Sequence, residues 1–478
     1  MVFSSTVFLF LFLPLVLGLY FLARRELRNA VLVVFSVLFY AWGELRFVPI
    51  ILASAGVNYL LGILSGRSTS PKTSRLALGS AVIINIGLLA YYKYANFFVE
   101  NANAVLSSLP GHHAALVHTP VALPLGISFL TFHALSYVID IHRKQAVAQK
   151  SPLKLGLYLL FFPQLIAGPI VRYHDIADQL ASRHVSMHDF AIGAQRFVLG
   201  LGKKVLVANC VAGVADGVFG LPVSQVTCGV AWLGAFAYAL QIYFDFSGYS
   251  DMAIGLARLF GFRFLENFNY PYIARSVTEF WRRWHISLSN WFRDYLYVPL
   301  GGNRVGPARL YFNLVIVFFL CGLWHGASWT FVIWGLLHGF FLVLERVGLR
   351  RLLERAWVPL RHAYCLTVVV VTWVFFRADT FPQAKAMLAA MIGQGHSSGA
   401  VRTASSFVDN MQLAAAAVAV VGSMPLLRWL EGVRRARVSA AVTIAWELAR
   451  VVGLSVVLLG CALRLSAGTY NPFIYFRF

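Results

Sequence analysis

The chain has 478 residues, of which 59% are hydrophobic and only 12% charged, whereas an average soluble domain has roughly 25% charged residues. This composition, with a mean hydropathy of +0.70, excludes an ordinary water-soluble enzyme and indicates a protein built from membrane-spanning helices. Lys and Arg outnumber Asp and Glu by 40 to 19, for a net charge of +21. The basic residues lie between apolar runs, which is typical of membrane topology signals and not of nucleic-acid binding.

Apolar segments recur from the amino end onward, and twelve of them are long enough, or nearly so, to cross a bilayer. We therefore predict an all-α, polytopic membrane protein with about eleven to thirteen spans, in which the shorter runs are re-entrant or interfacial. No long linker or internal repeat is apparent, so residues 1–478 are predicted to form one membrane-embedded domain. The segments are Val7–Leu22, Ala30–Trp42, Phe47–Leu64, Leu76–Tyr92, Leu123–Ile141, Leu155–Ala167, Val226–Tyr243, Leu310–Trp324, Trp329–Leu344, Tyr364–Phe376, Met411–Leu427 and Val442–Ala462.

Clusters of basic residues in the loops predict the orientation. Each cluster follows an odd-numbered span, which places these loops in the cytoplasm and the amino terminus outside. Between residues 168 and 220, basic side chains interrupt a helical apolar pattern, so this stretch could span, lie in the interface or re-enter. The clusters lie at 24–28, 67–75, 143–150, 346–361 and 428–437.

The segment 245–309 differs from the rest because arginines are concentrated there among Trp, Tyr and Phe. Helical spacing of its aromatic residues predicts one amphipathic helix that lies on the membrane or dips into it. A simpler interpretation is an interfacial anchor whose arginines contact lipid phosphates. The apolar face of this predicted helix consists of Trp281, Trp284, Leu288, Trp291, Phe292 and Tyr295.

Two histidines are candidates for chemistry. His325 lies in a predicted helical hairpin over residues 310–344, and an ionisable group at membrane depth is a functional candidate by default. His285 follows Trp284, and a neutral histidine there could take a proton from a hydroxyl nucleophile. Either histidine could instead serve only in helix packing.

The absence of common catalytic motifs and the positions of the cysteines and acidic residues narrow the possible chemistry further. No phosphate-binding loop, zinc-protease motif or serine nucleophile elbow is present. The five cysteines are scattered, so neither a disulfide framework nor a metal site is predicted. Asp245 and Asp251 end an apolar run, where either could orient a histidine or pair with an arginine of the following segment.

Taken together, several stretches resemble the membrane-bound O-acyltransferase superfamily, and within it the proteins that serve bacterial exopolysaccharide acetylation. The resemblance runs from end to end, is most specific in the middle third, and is weak from about Ala378 to Ala440. The stretches are Met1–Ser5, Tyr91–Phe97, Leu123–Phe129, Ala167–Ile170, Tyr243–Ala253, Glu279–Ser289, Gly301–Arg304, Gly322–Ala327 and Tyr470–Tyr475.

The resemblance implies a helical fold around a central tunnel, in which His325 is catalytic and His285 assists. It implies an acetyl group taken from a cytoplasmic thioester, either acetyl-coenzyme A or an acyl carrier protein, and delivered outward for a polysaccharide such as alginate. No tightly bound cofactor is needed. The implied setting is the bacterial inner membrane, and the implied partners are a periplasmic esterase-like protein and a polysaccharide biosynthesis complex.

The remaining expected site residues fall into two groups. The first would meet the donor phosphates on the cytoplasmic side, and the second would support the histidines. The donor group is Arg282, Arg283, Arg293 and Arg304, and the supporting group is Asp245, Asp251, Trp284, Trp324 and Ser289.

Two rival functions share many of these features. A flippase for a lipid-linked glycan precursor would also have many spans and intramembrane polar groups. A non-catalytic scaffold of a secretion complex would not need His325. The paired Trp-His elements favour the enzyme, because neither rival explains them.

Overall fold

The computed structural model describes residues 1–110, 115–395, 403–426, 440–468 and 474. All regular secondary structure in these residues is helical, which confirms the predicted all-α fold. The basic cluster at 428–437 and all but one residue of the 470–475 stretch lie outside the described residues.

The described α-helices are numbered here in chain order, and short 3-10 and π-helical turns connect several of them. They are α1 (Leu13–Leu22), α2 (Arg28–Glu44), α3 (Val48–Arg67), α4 (Pro71–Leu89), α5 (Ala95–Ser107), α6 (Ile127–His142), α7 (Pro152–Leu160), α8 (Phe162–Leu165), α9 (Tyr173–Ala181), α10 (Met187–Gly202), α11 (Asn209–Phe219), α12 (Cys228–Leu259), α13 (Val277–Arg283), α14 (Ile286–Phe292), α15 (Pro307–His325), α16 (Trp329–Leu344), α17 (Arg350–Arg355), α18 (Val358–Arg377), α19 (Phe381–Met391), α20 (Asn410–Gly422) and α21 (Ala440–Ser466).

Seven helical stretches within the described residues are long and apolar enough to cross a membrane, so the chain is a multi-pass membrane protein. This number is below the predicted eleven to thirteen. Two predicted runs join in one 43-residue stretch around the turn Leu45–Phe47, and other apolar helices are shorter than 18 residues. The predicted span Val226–Tyr243 lies in the 32-residue helix α12, which is not among the seven. The seven are Arg25–Arg67, Pro71–Ser107, Met187–Phe219, Pro307–His325, Trp329–Arg355, Val358–Arg377 and Val442–Ser466, and the shorter apolar helices are Phe8–Leu22, Ile127–His142 and Asn410–Gly422.

The 32-residue helix α12 lies at the centre of the fold, and α10, α11, α18 and α19 pack on it. Glycines bring the backbones of α10 and α12 together at two crossings. A Cβ added at Gly200 would lie 2.6 Å from the Gly248 carbonyl oxygen, and one at Gly255 would lie 2.6 Å from that of Gly193. Small residues at both crossings therefore set the helix separation, as in many membrane helix pairs.

The prediction of a single amphipathic helix within 245–309 is wrong. Residues 245–259 belong to the buried helix α12, and the aromatic stretch forms two short helices, α13 and α14, broken at Trp284 and His285. His285 has a φ of +43°, a left-handed conformation that no continuous α-helix accommodates. The aromatic face is buried in the protein, with Trp281 7% and Trp291 7% exposed, and does not face lipid.

Helices α15 and α16 form a tightly packed hairpin that ends at the candidate site. Pro307 begins α15, where a missing N–H costs nothing, and the Ser328 hydroxyl caps α16 by accepting the Thr330 N–H at 3.3 Å. The turn between them requires glycine, since a Cβ at Gly326 would lie 2.2 Å from the Phe331 ring.

Candidate active site

His325 is the last residue of α15 and is 5% exposed. Aromatic rings enclose its imidazole, with centroid distances of 4.9 Å to Trp324, 5.0 Å to Trp334 and 5.2 Å to Phe376. Neither Nδ1 nor Nε2 has a hydrogen-bond partner among the described residues. Buried polar atoms are normally hydrogen-bonded, so this imidazole has two nitrogens available to a substrate.

The backbone at the end of α15 is held by two side chains from the π-helical turn Ala90–Tyr94. Lys93 Nζ donates to the carbonyl oxygens of Trp324 and His325, the latter at 3.1 Å, and Tyr94 Oη donates to the Leu323 carbonyl oxygen at 2.7 Å. The last carbonyls of a helix lack intrahelical partners, so N–H and O–H donors that reach them are stabilising. These contacts fix the position from which His325 projects.

His285 lies between α13 and α14 and is fully buried. Its Nδ1 is 3.1 Å from Asn267 Oδ1, whereas Nε2 has no partner in the described part of the chain. The centroids of the His285 and His325 rings are 6.4 Å apart. The structure therefore brings the two predicted catalytic histidines together, near enough for one small polar group to contact both.

The predicted supporting residues Trp324, Trp284 and Ser289 have packing roles in the structure. The Trp324 ring stacks on Phe132 with centroids 5.2 Å apart, and Trp284 is 2% exposed within an aromatic cluster. Ser289 Oγ donates to the Trp281 carbonyl oxygen at 3.2 Å, and its backbone N–H donates to the His285 carbonyl oxygen at 3.0 Å. Of the three, Trp324 alone lines a cavity at the site.

A small cavity of about 40 Å³ opens beside His325, at the end of α15 that the basic loops predict to be external. This volume accommodates one water molecule or one small substrate group. Its lining combines the amine of Lys93 and the hydroxyl of Ser128 with the catalytic candidate. The lining residues are Lys93, Leu123, Pro124, Leu125, Gly126, Ile127, Ser128, Phe129, Ile166, Trp324 and His325.

A larger cavity of about 440 Å³ lies at the opposite side, among loops that are predicted to be cytoplasmic. Arginines dominate its lining, which is the residue type that binds phosphate by paired hydrogen bonds. This cavity borders α13, whose last residue is two positions before His285. The lining residues are Asn269, Arg275, Ser276, Thr278, Glu279, Arg282, Arg283, Arg350, Leu353, Glu354 and Arg361.

Two of the four arginines predicted to bind the donor line this larger cavity. Arg282 is exposed and has no ion pair among the described residues, while Arg283 pairs with Glu279 at 2.8 Å. Arg293 and Arg304 do not line it; Arg293 pairs with Asp294 at 2.7 Å. The prediction grouped all four because they lie in the arginine-rich segment 245–309, which the break at His285 divides.

The carboxyl group of Glu279 is ionised at neutral pH. Burial acts to raise its pKa, but hydrogen bonds from the Arg275 N–H and the Arg283 guanidinium, with the charges of both arginines, hold the pKa below its ordinary value. The charge of Arg283 is therefore largely matched, whereas Arg282 has no ion pair among the described residues.

Asp245 and Asp251 pair with basic residues of the preceding segment instead of a histidine or a following arginine. Lys204 Nζ lies 2.6 Å from Asp245 Oδ1, and both side chains are buried. Asp251 pairs with Lys203 at 2.7 Å and with Arg196 at 2.9 Å. The basic residues that made the stretch 168–220 ambiguous in the sequence are thus the partners of these carboxylates, and Lys204 is the buried one among them.

Three residues that hold the segments carrying the histidines were missed from the sequence. Asn267 contacts His285, Lys93 holds the end of α15, and the buried Glu345 accepts the Val277 and Thr278 N–H groups at the start of α13. Lys93 lies within Tyr91–Phe97, a stretch that supported the family resemblance, but no role was predicted for this lysine. Asn267 and Glu345 lie outside every such stretch. No group of His, Cys, Asp or Glu in the described ranges is arranged to hold a metal ion.

Comparison with known proteins gives consistent matches. Residues 91–381 match the family model described as MBOAT, membrane-bound O-acyltransferase family. The chain is 42% identical to the probable alginate O-acetylase AlgI of Azotobacter vinelandii, with 100% of both chains covered. A protein of the same name from Pseudomonas aeruginosa is 46% identical over 83% of this chain and 75% of its own. The peptidoglycan O-acetyltransferase of Helicobacter pylori is 35% identical over 82% of this chain and 80% of its own.

Proposed function

The chain belongs to the membrane-bound O-acyltransferase family, and from this premise we propose that it carries acetyl groups across the bacterial inner membrane for O-acetylation of an exported polysaccharide such as alginate. The donor is a cytoplasmic thioester, and the reacting hydroxyl approaches from the outside. The observation that carries the proposal is His325, whose unpaired imidazole lines the outer cavity and lies 6.4 Å, between ring centroids, from His285.

The proposed chemistry needs only a base and an oriented, water-poor site, because a thioester is already activated. A nitrogen of His325 takes the proton of the acceptor hydroxyl as the oxygen attacks the thioester carbonyl. The new C–O bond forms, the C–S bond breaks, and the proton returns to the departing thiolate. His285 assists by orienting a hydrogen-bonding partner in the same space.

On the cytoplasmic side, the larger cavity supplies the proposed donor site. Its volume of about 440 Å³ lies in the range of small-ligand pockets. The phosphate of a pantetheine arm, common to coenzyme A and acyl carrier protein, is the anion that its arginines suit. Among the arginines expected to bind the donor, Arg282 is the first candidate, since it lines this cavity and has no ion pair among the described residues.

On the outer side, we propose that the attacking hydroxyl belongs to a periplasmic esterase-like partner, which then transfers the acetyl group from its own ester to a glycan hydroxyl within the biosynthesis complex. The similarity to proteins named alginate O-acetylase supports alginate as the first glycan to test. The similarity to a peptidoglycan O-acetyltransferase supports an acetyl group as the one transferred.

The test is an assay in inside-out membrane vesicles, which present the cytoplasmic face to the medium. An oligosaccharide of unacetylated alginate and a periplasmic extract are sealed inside, and radiolabelled acetyl-coenzyme A or acetylated acyl carrier protein is added outside. We expect label in ester linkage on the enclosed oligosaccharide, dependent on this chain, with the more efficient donor identified by rate. Absence of ester label with both donors would overturn the proposal.

A further inference from the structure

Asn267 is a buried polar residue of the extended segment between α12 and α13, and it is 1% exposed. Its Oδ1 is within hydrogen-bond distance of three groups: His285 Nδ1 at 3.1 Å, the Ser287 N–H at 3.2 Å and Ser287 Oγ at 2.9 Å. Its Nδ2 donates to Ser250 Oγ at 2.9 Å. Both the oxygen and the nitrogen of the side-chain amide are thus hydrogen-bonded.

These contacts identify which end of the amide is the oxygen. The Ser287 backbone N–H can only donate, so the atom that it meets must be the acceptor Oδ1. Ser287 Oγ also donates to Oδ1 and itself accepts the Ile170 N–H at 3.0 Å. Because Oδ1 can only accept, the nitrogen of His285 that faces it must carry a hydrogen.

We propose that Asn267 is a positioning residue that holds neutral His285 in the tautomer with hydrogen on Nδ1 and a lone pair on Nε2. This inference deepens the proposed function by assigning the role of the second histidine. An Nε2 lone pair can accept a hydrogen bond but cannot donate one. His285 therefore does not stabilise the oxyanion of the tetrahedral intermediate.

The role that remains is to receive an N–H or O–H. When His325 takes the proton of the acceptor hydroxyl it becomes an imidazolium with two N–H groups, and His285 Nε2 can accept one of them, directly or through a water. The ring centroids are 6.4 Å apart, so either arrangement needs only local adjustment. The left-handed φ of +43° at His285 is the backbone cost of placing its ring there.

The first test reads the tautomer directly and does not depend on activity. The full-length protein with ¹⁵N-labelled histidine is placed in lipid nanodiscs, and its nitrogen NMR spectrum is compared with that of His285→Gln to assign the His285 signals. We expect a protonated Nδ1 and an unprotonated Nε2. The opposite tautomer, with a protonated Nε2 and an unprotonated Nδ1, would overturn the inference even if transfer activity is confirmed.

The second test compares kcat, KM and the pH profile of Asn267 variants. Asn267→Leu should lower kcat by about 10- to 100-fold, the range for residues that orient an active group, with the KM for the thioester unchanged. Asn267→Asp retains the acceptor and should recover most of kcat, while the acidic limb of the pH profile moves to higher pH, because a carboxylate favours the imidazolium. Wild-type kcat in Asn267→Leu, or an unmoved pH profile in Asn267→Asp, would overturn the positioning role.

Asn85→Leu is the matched control. Asn85 is also 1% exposed and hydrogen-bonded, but to Asn58 in α3, and neither residue lines the cavities beside the histidines. We expect it to lower thermal stability with kcat unchanged. If Asn267→Leu does not fold, the tautomer measurement on the wild type still decides the inference.

Discussion

At the scale of the residue, the candidate site depends on two buried histidines, His325 with both ring nitrogens and His285 with Nε2 without a partner among the described residues. His325 and His285 were both candidates from the sequence, His325 because an ionisable residue at membrane depth is a functional candidate by default, and the family resemblance implied their catalytic roles. Their contacts could not be predicted. Lys93 is more than 200 positions from the Trp324 and His325 carbonyl groups to which it donates, and local sequence does not predict a contact between residues so far apart.

Lys93 provides the first prediction. Lys93→Met should lower the free energy of unfolding by about 1–3 kcal/mol, because two buried carbonyl groups lose their donor, and should lower kcat because the end of α15 is less firmly held. Thermal unfolding in detergent and the vesicle assay measure the two effects. Lys72→Met, at an exposed position of α4, is the control and should leave both unchanged. Equal unfolding temperatures and equal kcat values in the two variants would show that the Lys93 hydrogen bonds contribute neither to stability nor to catalysis.

At the scale of the element, the sequence predicted helices well and their breaks poorly. The apolar runs at 310–324 and 329–344 correspond to α15 and α16, because a long apolar run has no stable alternative to a helix in lipid. The stretch 281–295 satisfied helical spacing equally well but is broken at His285. That break depends on tertiary contacts with Asn267, which helical periodicity does not register.

The close crossing of α10 and α12 gives the second prediction. Gly248→Ala should destabilise the protein by about 1–3 kcal/mol, since its Cβ would lie 2.8 Å from the Gly200 carbonyl oxygen and the helices must move apart. Gly87→Ala in α4 is the control, because nothing lies within 4 Å of its added Cβ. It should be neutral or stabilising by up to about 1 kcal/mol. Thermal unfolding that ranks Gly87→Ala as the worse variant would contradict this packing.

The start of α13 gives the third prediction. Glu345 is 2% exposed and accepts hydrogen bonds from Val277, Thr278 and Tyr364. Glu345→Leu should cost about 1–3 kcal/mol for each buried donor left unpaired. Glu354→Gln, which removes the charge from an exposed pair with Arg350, should cost less than about 1 kcal/mol. Similar unfolding temperatures for both variants would refute the capping role.

At the scale of the whole molecule, a narrow outer cavity at His325 and a wide, arginine-lined inner cavity lie at opposite ends of the fold as oriented by the basic loops. The family, the all-α fold and the acyltransferase class were predicted from the sequence. The sequence analysis did not predict which arginines line the inner cavity. Arg282 and Arg283 line it and Arg293 and Arg304 do not, a difference that arises only in the folded chain.

That difference gives the fourth prediction. Arg282→Gln should raise the KM for the thioester donor by about tenfold or more, as expected for a lost charge-assisted hydrogen bond of 1.5–3 kcal/mol, with little change in kcat. Arg304→Gln, outside the cavity, should leave the KM unchanged. The vesicle assay at varied donor concentration measures both. A larger rise in KM for Arg304→Gln than for Arg282→Gln would show that the donor binds outside this cavity.

The central claim is that His325 performs acyl transfer, and the most direct measurement is the ester-linked acetyl content and total amount of exported polysaccharide. Cells carry the wild type, a deletion, His325→Ala or His338→Gln at matched membrane abundance. His338 is the matched control because it is equally buried but has both nitrogens paired, with Trp281 and Thr372. We expect a normal amount of polysaccharide in all four, without acetyl groups in the deletion and His325→Ala and with them in His338→Gln. Normal acetylation in His325→Ala, or loss of export in the deletion, would contradict this account.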